Sequence, residues 1–434
     1  MDEVKIGIVG LGNVGSGTVA ILAENASQIE LKLGFRLKVV AVCSLDALTR
    51  ELPPAMADVF RTTDWREVTS HPDVQIVVEL VGGTTVAAEI IEAAIHNRKS
   101  VITANKELMA LRGPEFWDSA IRAGINLAME ASVCGGIPIH TVLREGISGD
   151  RVEALYGILN GTCNYILTEM EKREASLESV LAEAQRLGYA EANPSADIDG
   201  FDARSKLVLL AALAFGDRIT PTDVFMEGIR RVTPVDFRYA RQLKHTIRLL
   251  CGARQMPEGI LLSVRPALIP VSTILAGVQG SYNAVWVKGQ YGEDTFYYGR
   301  GAGSLPTGVA VTSDLMRVAR EIRRGSPERV SPFAHERLGE NKPLSILAKR
   351  SAYYLRFRVE DRPGIIARLA GILASKNISL DAVLQEPGQN PHDLPFVMTV
   401  EPTSERSIQE AVAEMSGLDF LKEAPLALPI EQGL

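Results

Sequence analysis

The sequence predicts an α/β protein, with a parallel sheet first, a mixed-sheet domain next and a small module at the C-terminus. Strand-like and helix-like segments alternate over the first third of the chain, which is typical of a parallel sheet covered by helices. A stretch at 325–343, rich in proline, charge and glycine, precedes a separate βαββα pattern. A chain of 434 residues is also too long for one core, which favours two or three domains.

Composition narrows the class of protein. Apolar residues make up 46% and charged residues 23%, as in ordinary globular proteins, and the net charge of -7 argues against nucleic acid as a partner. No run approaches the roughly 18 apolar residues of a membrane span, and the start MDEVKIGIVG lacks a secretory pattern. The four cysteines show no CxxC spacing, which favours reduced thiols. We therefore expect a cytoplasmic protein that binds neither membrane nor nucleic acid.

The first element predicts a nucleotide site. Val4–Val9 is an apolar, β-branched run typical of a buried strand, and it leads into Gly10-Leu11-Gly12-Asn13-Val14-Gly15 and then into a helical stretch. In this context the first glycine allows a tight turn and the second lets a pyrophosphate approach the backbone. The third packs the helix on the strand, and the helix N–H groups bind the phosphates. The pattern predicts a Rossmann domain that binds a dinucleotide.

The second strand bears on the choice of coenzyme. An acid at the end of this strand would bind the ribose hydroxyls of NAD, whereas a nearby arginine would accommodate the phosphate of NADP. Here Leu37–Val42 ends without an acid, Asp46 comes slightly late and Arg50 follows. The sequence leaves both NADP and NAD open.

Further strands should bring polar residues to one edge of the sheet. Buried strands are predicted within Val74–Val81, Ser100–Thr103 and Ile125–Ala128. Lys106 and Glu130 follow the last two strands, and ligands of parallel sheets gather at the carboxyl ends of the strands. Lys106 could be a simple surface lysine at a helix start, but its position favours a ligand contact.

The segment LGYAEANPSADIDGFDARSK, at 187–206, is rich in charge beside a very apolar run. It carries Glu191, Asp197, Asp202 and Lys206 among its charged residues. Burying such groups is costly unless polar partners lie among them, and a small zwitterion would supply these. The alternative is a solvated loop that only caps a helix.

The middle third predicts a mixed sheet. Strand-like runs occur at Ile260–Arg265, Ala284–Lys288 and Thr295–Tyr298, and broad apolar elements of this kind often form a subunit interface. We expect a homodimer or homotetramer. The glycine cluster at 299–303 is either a hinge or a second close approach of backbone to a ligand.

The chain resembles homoserine dehydrogenases over almost its whole length. The motifs that carry the resemblance are GLGNVG at 10–15, TANK at 103–106, EASVCGGIP at 130–138, NGT at 160–162, the segment at 187–206 and GAGSLPTGVAVTSDL at 301–315. The resemblance implies NAD(P)-dependent interconversion of L-homoserine and L-aspartate 4-semialdehyde, in the biosynthesis of threonine, methionine and isoleucine. Because no aspartate-kinase segment precedes Val4, the monofunctional form is expected.

The resemblance also implies roles for individual residues. Lys206 would donate or accept the proton at the hydroxyl or aldehyde oxygen, and Lys106 would lie beside the reacting centre. The residues implied in substrate binding are Glu191, Asp197, Asp202, Gly161 and Thr162. Those expected to bind the coenzyme are Gly10, Gly12, Asn13, Val14, Gly15, Arg50, Thr103, Lys106, Gly188 and Gly303. A monovalent cation, Na⁺ or K⁺, would lie in the region of Glu130, Val133, Gly135 and Ile137.

The C-terminal pattern resembles an ACT domain, with DRPGI at 361–365 as its strand-to-helix turn. Strands are expected at Tyr353–Val359, Ile378–Leu384 and Pro395–Val400, with a closing strand at Phe420–Ala424. The module is either a dimerisation element or an amino-acid sensor, and the resemblance implies threonine as its allosteric ligand. A chain ending near Pro332 should then fold without it.

We expect domains at 1–137 (coenzyme), 138–324 (catalysis and dimerisation), 325–350 (linker) and 351–430 (ACT), with the helix at 304–323 packed on the first. Two other functions stay open. One is a semialdehyde dehydrogenase that acylates a cysteine, with Cys134 or Cys163 as nucleophile. The other is a catalytically silent amino-acid sensor, which would not need Lys106 and Lys206.

Overall fold

The computed structural model describes residues 3–325, 331–341, 343–387 and 390–434, so 326–330 and Lys342 of the predicted linker lie outside the described residues. The chain forms two compact units, each built from several segments. Unit 1 comprises Met1–Leu155, Arg204–Thr222 and Asn283–Asn341, and unit 2 comprises Tyr156–Ala203, Asp223–Tyr282 and Lys342–Leu434.

Unit 1 contains a six-stranded sheet. Its strands are β1 (Glu3–Val9), β2 (Arg36–Cys43), β3 (Phe60–Thr62), β4 (Ile76–Glu79), β5 (Ser100–Thr103) and β6 (Leu127–Ala128). They lie in the order β3-β2-β1-β4-β5-β6, and all of the pairs are parallel. The strand order reverses between β1 and β4, and dinucleotides bind at the carboxyl ends of the strands at such a reversal. The predicted Rossmann sheet is confirmed.

The helices follow the predicted alternation with strands. They are α1 (Asn13–Glu24), α2 (Ala26–Leu33), α3 (Trp65–Ser70), α4 (Val86–His96), α5 (Lys106–Ala123), α6 (Ile139–Thr141), α7 (Gly161–Arg173), α8 (Leu177–Arg186), α9 (Ser195–Ile198), α10 (Phe201–Phe215), α11 (Pro234–Gln242), α12 (Ser304–Arg324), α13 (Ile365–Ser375) and α14 (Glu405–Met415). Among the described residues, no helix combines the length and the apolar character that crossing a bilayer requires.

The late helix α12 packs into the core of the coenzyme sheet. Val311, Leu315 and Val318 of α12 join the same buried cluster as Ile6 and Ile8 of β1. This helix and the sheet therefore share one core although they lie far apart in sequence.

The second half of the predicted linker is packed. Phe333 is 1% exposed and lies against Gly113 of α5, and Gly339 exchanges backbone hydrogen bonds with Gly216 and Arg218. Residues 331–341 therefore belong to unit 1 instead of joining two domains. The aromatic side chain of Phe333 gives this proline-rich and charged segment an apolar anchor.

The remaining strands are β7 (Val152–Ile158), β8 (Phe225–Met226), β9 (His245–Met256), β10 (Gly259–Pro270), β11 (Tyr282–Gly289), β12 (Asp294–Arg300), β13 (Arg350–Val359), β14 (Leu380–Leu384), β15 (Leu394–Ser404) and β16 (Leu426–Ile430). Within unit 2 the order β9-β10-β16-β13-β15-β14 forms a continuous sheet. β9 and β10 pair antiparallel, whereas β16 pairs parallel with β10, so the predicted mixed sheet is confirmed.

The C-terminal module has the predicted βαββαβ order, in β13, α13, β14, β15, α14 and β16. The closing strand was placed wrongly, since it is Leu426–Ile430 and not Phe420–Ala424. Within 420–424, Lys422, Glu423 and Ala424 offer little to bury, whereas Leu426, Leu428 and Ile430 are buried in the sheet.

The C-terminal module lies in the same compact unit as residues 223–282. Leu268 of β10 pairs with Ile430 of β16, which joins the sheets of the two regions. The predicted domain limits at 138–324 and 351–430 thus differ from the compact units, because distant chain segments pack together.

Candidate functional site

The glycine turn forms a cradle at the start of α1. Gly10 has φ +101°, and a side chain there would meet the backbone of Leu80 at 2.6 Å. A Cβ on Gly15 would lie 2.0 Å from the carbonyl oxygen of Gly10, so α1 packs tightly on the turn. A Cβ on Gly12 would meet nothing within 4 Å. This open position at a helix N-terminus fits a pyrophosphate, because the first N–H groups of a helix lack partners within the helix.

Helix α12 supports the same cradle. Gly303 has φ +130° and precedes the helix, and Ser304 Oγ donates a 2.6 Å hydrogen bond to the carbonyl oxygen of Asn13. A side chain on Gly17 would lie 2.2 Å from the carbonyl oxygen of Ser304. The structure therefore brings Gly303 beside the glycine turn. The role of Ser304 was missed from the sequence because its partner lies 291 residues away.

Arg50 lies where the ribose of a dinucleotide is expected. Its Nη2 lies 2.8 Å from Asp46 Oδ2 and its Nη1 donates to Ser16 Oγ at 3.0 Å. Ser44 Oγ also donates to Asp46. Hydrogen bonds from Arg50 and Ser44 lower the pKa of Asp46 to about 2. Asp46 is thus engaged by protein groups, and a guanidinium stands beside the glycine-turn helix.

A hydrogen-bonded network joins the carboxyl ends of β4 and β5. Thr103 Oγ1 donates to Glu79 Oε2 at 2.6 Å and accepts from the N–H of Asn105 at 3.0 Å. The other oxygen of Glu79 accepts from the N–H of Val81 at 2.8 Å. Asn105 caps α5 through Leu108 N and leaves Lys106 half-buried as the first residue of that helix. Lys106 is therefore held at the ligand edge of the sheet.

Glu79 was missed from the sequence because it lies inside an apolar run. It is fully buried, and only the register of β4 beside β5 gives its carboxylate the Thr103 partner. An acid within a buried strand is a signal that could have identified it.

The side chain of Glu130 is buried and hydrogen-bonded within the protein. Its carboxylate accepts from the N–H groups of His140 and Thr141 at 3.0 and 2.9 Å, and from the Thr141 hydroxyl. Its own N–H donates to Asp314 Oδ2 at 2.8 Å. Burial, with the nearby Asp314, raises the pKa of Glu130. The carboxylate thus organises the turn after β6, which the sequence did not predict.

The turn after β6 also presents backbone carbonyl oxygens. Cys134 has φ +51°, and within the described residues no hydrogen bond ends on the carbonyl oxygens of Val133 or Gly135. The Ile137 carbonyl accepts from the N–H of Ile139 at 2.7 Å. Oxygen ligands suit hard cations. No cluster of three or more His, Cys, Asp or Glu side chains in the described part of the chain could hold a metal.

In unit 2, Asn160 holds two of the predicted acids. Its Nδ2 donates to Asp197 Oδ1 and to Asp202 Oδ2, both at 2.7 Å. Its Oδ1 accepts from the N–H of Cys163 and caps α7. The two carboxylates are therefore fixed close together by one amide. Asn160 was not predicted as a site residue, although it begins the NGT motif at the end of β7.

Residues of neighbouring loops lie around the Asn160, Asp197 and Asp202 side chains. Thr162 Oγ1 donates to the carbonyl oxygen of Tyr189 at 2.9 Å, which draws the turn after α8 toward the start of α7. Gly161 is the first residue of α7, and Gly188 has φ +77°. Glu191 is exposed, and its carbonyl accepts from Gln185. The structure therefore brings together Thr162, Asp197 and Asp202, but not the Glu191 side chain.

Lys206 lies one helical turn after Asp202. Both belong to α10, and residues four apart share one face of a helix. Lys206 is 7% exposed, which is rare for a lysine. A buried ammonium in a helix that starts with a clamped aspartate is suited to binding or moving a proton at a substrate oxygen.

The cysteines and His140 are poorly suited to nucleophilic or acid–base catalysis. Burial raises the pKa of Cys163 well above its usual value and raises that of Cys43 to about 11. Cys134 and Cys251 are also buried. His140 is fully buried, and burial lowers its pKa to about 3, so its imidazole is neutral at ordinary pH. A thiolate nucleophile, which the semialdehyde dehydrogenase alternative requires, is thus disfavoured.

Comparisons with known proteins agree along the whole chain. Residues 10–130 match the homoserine dehydrogenase NAD-binding domain, 138–316 match homoserine dehydrogenase, and 353–420 match the ACT domain. A homoserine dehydrogenase from Neisseria gonorrhoeae is 39% identical over 431 residues, covering 99% of this chain and 98% of the relative.

Solved structures give the same result. A homoserine dehydrogenase from Thiobacillus denitrificans superposes with a TM-score of 0.91 at 40% identity, covering 99% of this chain and 98% of that one. A hyperthermophilic archaeal homoserine dehydrogenase in complex with NADPH has a TM-score of 0.62 at 26% identity, covering 73% and 98%. The chain belongs to the homoserine dehydrogenase family and is an NAD(P)-dependent oxidoreductase that acts on a hydroxyl group.

Proposed function

We propose that this enzyme oxidises and forms L-homoserine with NADP as its preferred coenzyme, and that Lys206 handles the proton of the reacting hydroxyl. When bound, the nicotinamide supplies or accepts the hydride. The observation that carries the proposal is the clamp of Asp197 and Asp202 by Asn160, one turn before Lys206. Such a clamp fixes the orientation of two carboxylates, which suits them to bind a cationic group and which a solvated loop would not require.

The preference for NADP rests on Arg50. A 2′-phosphate would accept from N–H groups of the Arg50 guanidinium, whereas Asp46, the acid that follows β2, is already held by Arg50 and Ser44. The archaeal relative whose structure contains NADPH supports the same choice.

In the proposed reaction, Lys206 donates a proton to the aldehyde oxygen during reduction and accepts one in the reverse direction. Its burial shields the transfer from bulk water and strengthens its interaction with the developing alkoxide. Lys106, at the carboxyl end of β5, would stabilise the same oxygen or the coenzyme. Glu191 would bind the substrate ammonium together with Asp202, which requires the exposed loop after α8 to adjust.

A monovalent cation would be held by backbone oxygens of the turn after β6. The carbonyl groups of Val133 and Gly135 are the best candidates because they accept no hydrogen bond from the described residues. The cation would steady the turn, whose other side is fixed by the Glu130 N–H to Asp314 hydrogen bond.

The C-terminal module would bind threonine and regulate turnover. A cavity of about 450 Å³ lies at the DRPGI turn and is lined by Asp361, Arg362, Gly364 and Gln385 among others. Gly364 has φ +93°, and a side chain there would meet nothing within 4 Å, so the backbone is open to a ligand. Polar groups around an apolar cavity are suited to a small amino acid.

We also propose that the enzyme forms a homodimer or homotetramer and is located in the cytoplasm.

One assay tests the proposal directly. Homoserine-dependent reduction of NAD and of NADP should be measured with and without threonine, and kcat/KM should be higher with NADP. Asn160→Ala should raise the homoserine KM with little change in coenzyme affinity, and Asn390→Ala, on an exposed loop, is the matched control. The absence of homoserine oxidation with either coenzyme would leave the silent sensor as the alternative.

A further inference from the structure

A second cavity, of about 430 Å³, lies within unit 2 beside the C-terminal module. Its walls come from residues 227–232, from helix α14 and from strand β16 and the residue before it. Small-ligand sites commonly measure about 300–1,000 Å³. It shares no lining residue with the cavity at the DRPGI turn, so the two are distinct.

One side of this cavity is acidic. Arg265 is buried between two carboxylates, with Nη2 2.7 Å from Glu227 Oε2 and Nη1 2.6 Å from Glu405 Oε2. Glu405 also accepts hydrogen bonds from Tyr353 and Gln409 and is 2% exposed. Both of its carboxylate oxygens are therefore engaged by protein groups and shielded from a ligand. The side chain of Glu227 is 43% exposed. Of the two carboxylates beside Arg265, Glu227 is therefore the one that a cationic ligand group can reach.

Another part of the lining is basic. Arg231 Nη2 donates to the carbonyl oxygen of Pro425 at 2.9 Å, which holds its guanidinium against the segment before β16. Arg230 is 52% exposed and pairs with Asp199, with Nη2 2.9 Å from Oδ2. Two guanidinium groups at one cavity are suited to a carboxylate.

The rest of the lining is largely aliphatic, and includes Val232, Pro266, Ile408, Val412 and Leu426. We infer that this cavity is a second effector site for a small zwitterion with an aliphatic side chain, such as an aliphatic α-amino acid. Glu227 binds the ammonium, Arg231 and Arg230 bind the carboxylate, and the aliphatic wall covers the side chain.

The cavity wall is linked to the acidic loop before α10. The N–H of Ile229 donates to the carbonyl oxygen of Ile198 at 2.8 Å, and a side chain on Gly228 would lie 2.4 Å from the same oxygen. Arg230 holds Asp199, two residues after Asp197. A ligand carboxylate that draws Arg230 away from Asp199 therefore perturbs α9, which carries Asp197.

Binding of the ligand in this cavity and binding of homoserine should be thermodynamically linked. A ligand that binds one arrangement of α9 better than another changes homoserine affinity, and homoserine changes ligand affinity by the same factor. This effect on homoserine rests on the proposed role of Asp197, whereas ligand binding itself does not.

Calorimetry on the full-length protein tests the site without turnover. L-leucine is titrated beside 4-methylpentanoate, which lacks the ammonium, and 3-methylbutan-1-amine, which lacks the carboxylate. We expect L-leucine to bind and each analogue to bind at least about tenfold more weakly, which is about 1.4 kcal/mol. Equal binding of either analogue overturns recognition of a zwitterion, and a lack of binding by both L-leucine and L-valine overturns the site.

Variants then locate the ligand. Glu227→Gln should weaken L-leucine binding about tenfold or more, and Ala413→Trp, at the exposed rim, should block it. Glu410→Gln is the matched control, because it lies on α14 but outside the lining. Gly364→Asp should leave L-leucine binding intact. Loss of binding in Gly364→Asp with normal binding in Glu227→Gln and Ala413→Trp would place the ligand in the other cavity and overturn the inference.

Discussion

Glu405, the first residue of α14, accepts a hydrogen bond from Arg265 of β10 at 2.6 Å, and both side chains are almost fully buried. Tyr353 donates to the same carboxylate oxygen at 2.6 Å. These contacts join the C-terminal module to the segment before it with charged groups that water does not reach. The pair makes the module part of the structure of unit 2 rather than an appendage.

Glu405→Ala should destabilise the protein by about 1–3 kcal/mol, because it leaves the Tyr353 hydroxyl and one side of the Arg265 guanidinium buried without a partner, while Glu227 still pairs with Arg265. The free energy of unfolding of unit 2 can be measured by denaturant titration. Glu410→Ala, an exposed position on the same helix, is the control and should change stability by less than about 0.5 kcal/mol. A loss of under 1 kcal/mol in Glu405→Ala would show that the pair is not structurally important.

Contrary to the expectation from the sequence, a chain that ends at Asn341 and so lacks the C-terminal module should aggregate or have a low melting temperature. It keeps Phe333 in unit 1, but it removes Glu405 from Arg265 and it removes Arg356 and Tyr354 from buried Asp236. Size-exclusion chromatography and thermal melting measure the outcome. Adding Arg265→Met and Asp236→Asn should partly restore solubility, since buried charges are then removed. A stable shortened chain without these changes would support an independent module after all.

Lys206→Ala should lower kcat by about two to four orders of magnitude, the range for losing a positioned acid or base. Coenzyme affinity should be retained because the glycine turn is untouched. Lys172→Ala, at an exposed position of α7, is the control. Steady-state kinetics with coenzyme binding by fluorescence provides the measurement, and near-normal turnover in a folded variant would exclude Lys206 as the proton-transfer group.

The Asp46–Arg50 pair predicts a specific pH response. The pKa of Asp46 is lowered to about 2 in the folded protein, chiefly by its hydrogen bond from Arg50. Because this pKa lies below that of an unfolded aspartate, about 3.8, the pair contributes stability above pH 3.8 and loses it as the pH falls toward 2. In Arg50→Gln the carboxyl titration, followed by NMR, should move upward, and the KM for NADP should rise more than that for NAD. An unchanged ratio of the two KM values would remove Arg50 from coenzyme selection.

Alkylation of thiols should not inactivate the native enzyme at neutral pH. The pKa of Cys43 is about 11 and that of Cys163 is raised further by burial, so neither forms much thiolate. Activity after iodoacetamide treatment, with mass spectrometry of modified sites, checks this. Rapid inactivation that tracks modification of Cys134 or Cys163 would revive the acyl-enzyme mechanism.

The sequence by itself predicted the Rossmann sheet, the mixed sheet and the βαββαβ order. These follow from local patterns: Val4–Val9 must be buried, the glycines after it must turn, and the apolar face of each helix must pack. Its motifs also singled out Asp197 and Asp202, which Asn160 holds together, whereas the roles of these acids, of Lys106 and of Lys206 stay predictions. The prediction misplaced β16, although the charged residues within 420–424 and the apolar run LALPI at 426–430 favour the later segment as the strand.

Only the tertiary structure decided which distant groups meet. Asn160 holds Asp197 and Asp202, Glu79 binds Thr103, and Glu405 binds Arg265 across 140 residues. A sequence shows that each of these side chains is polar, but burial and partnership depend on how strands and helices pack. The cost of burying a charge without a partner is what makes these pairings specific, and it appears only once the chain has folded.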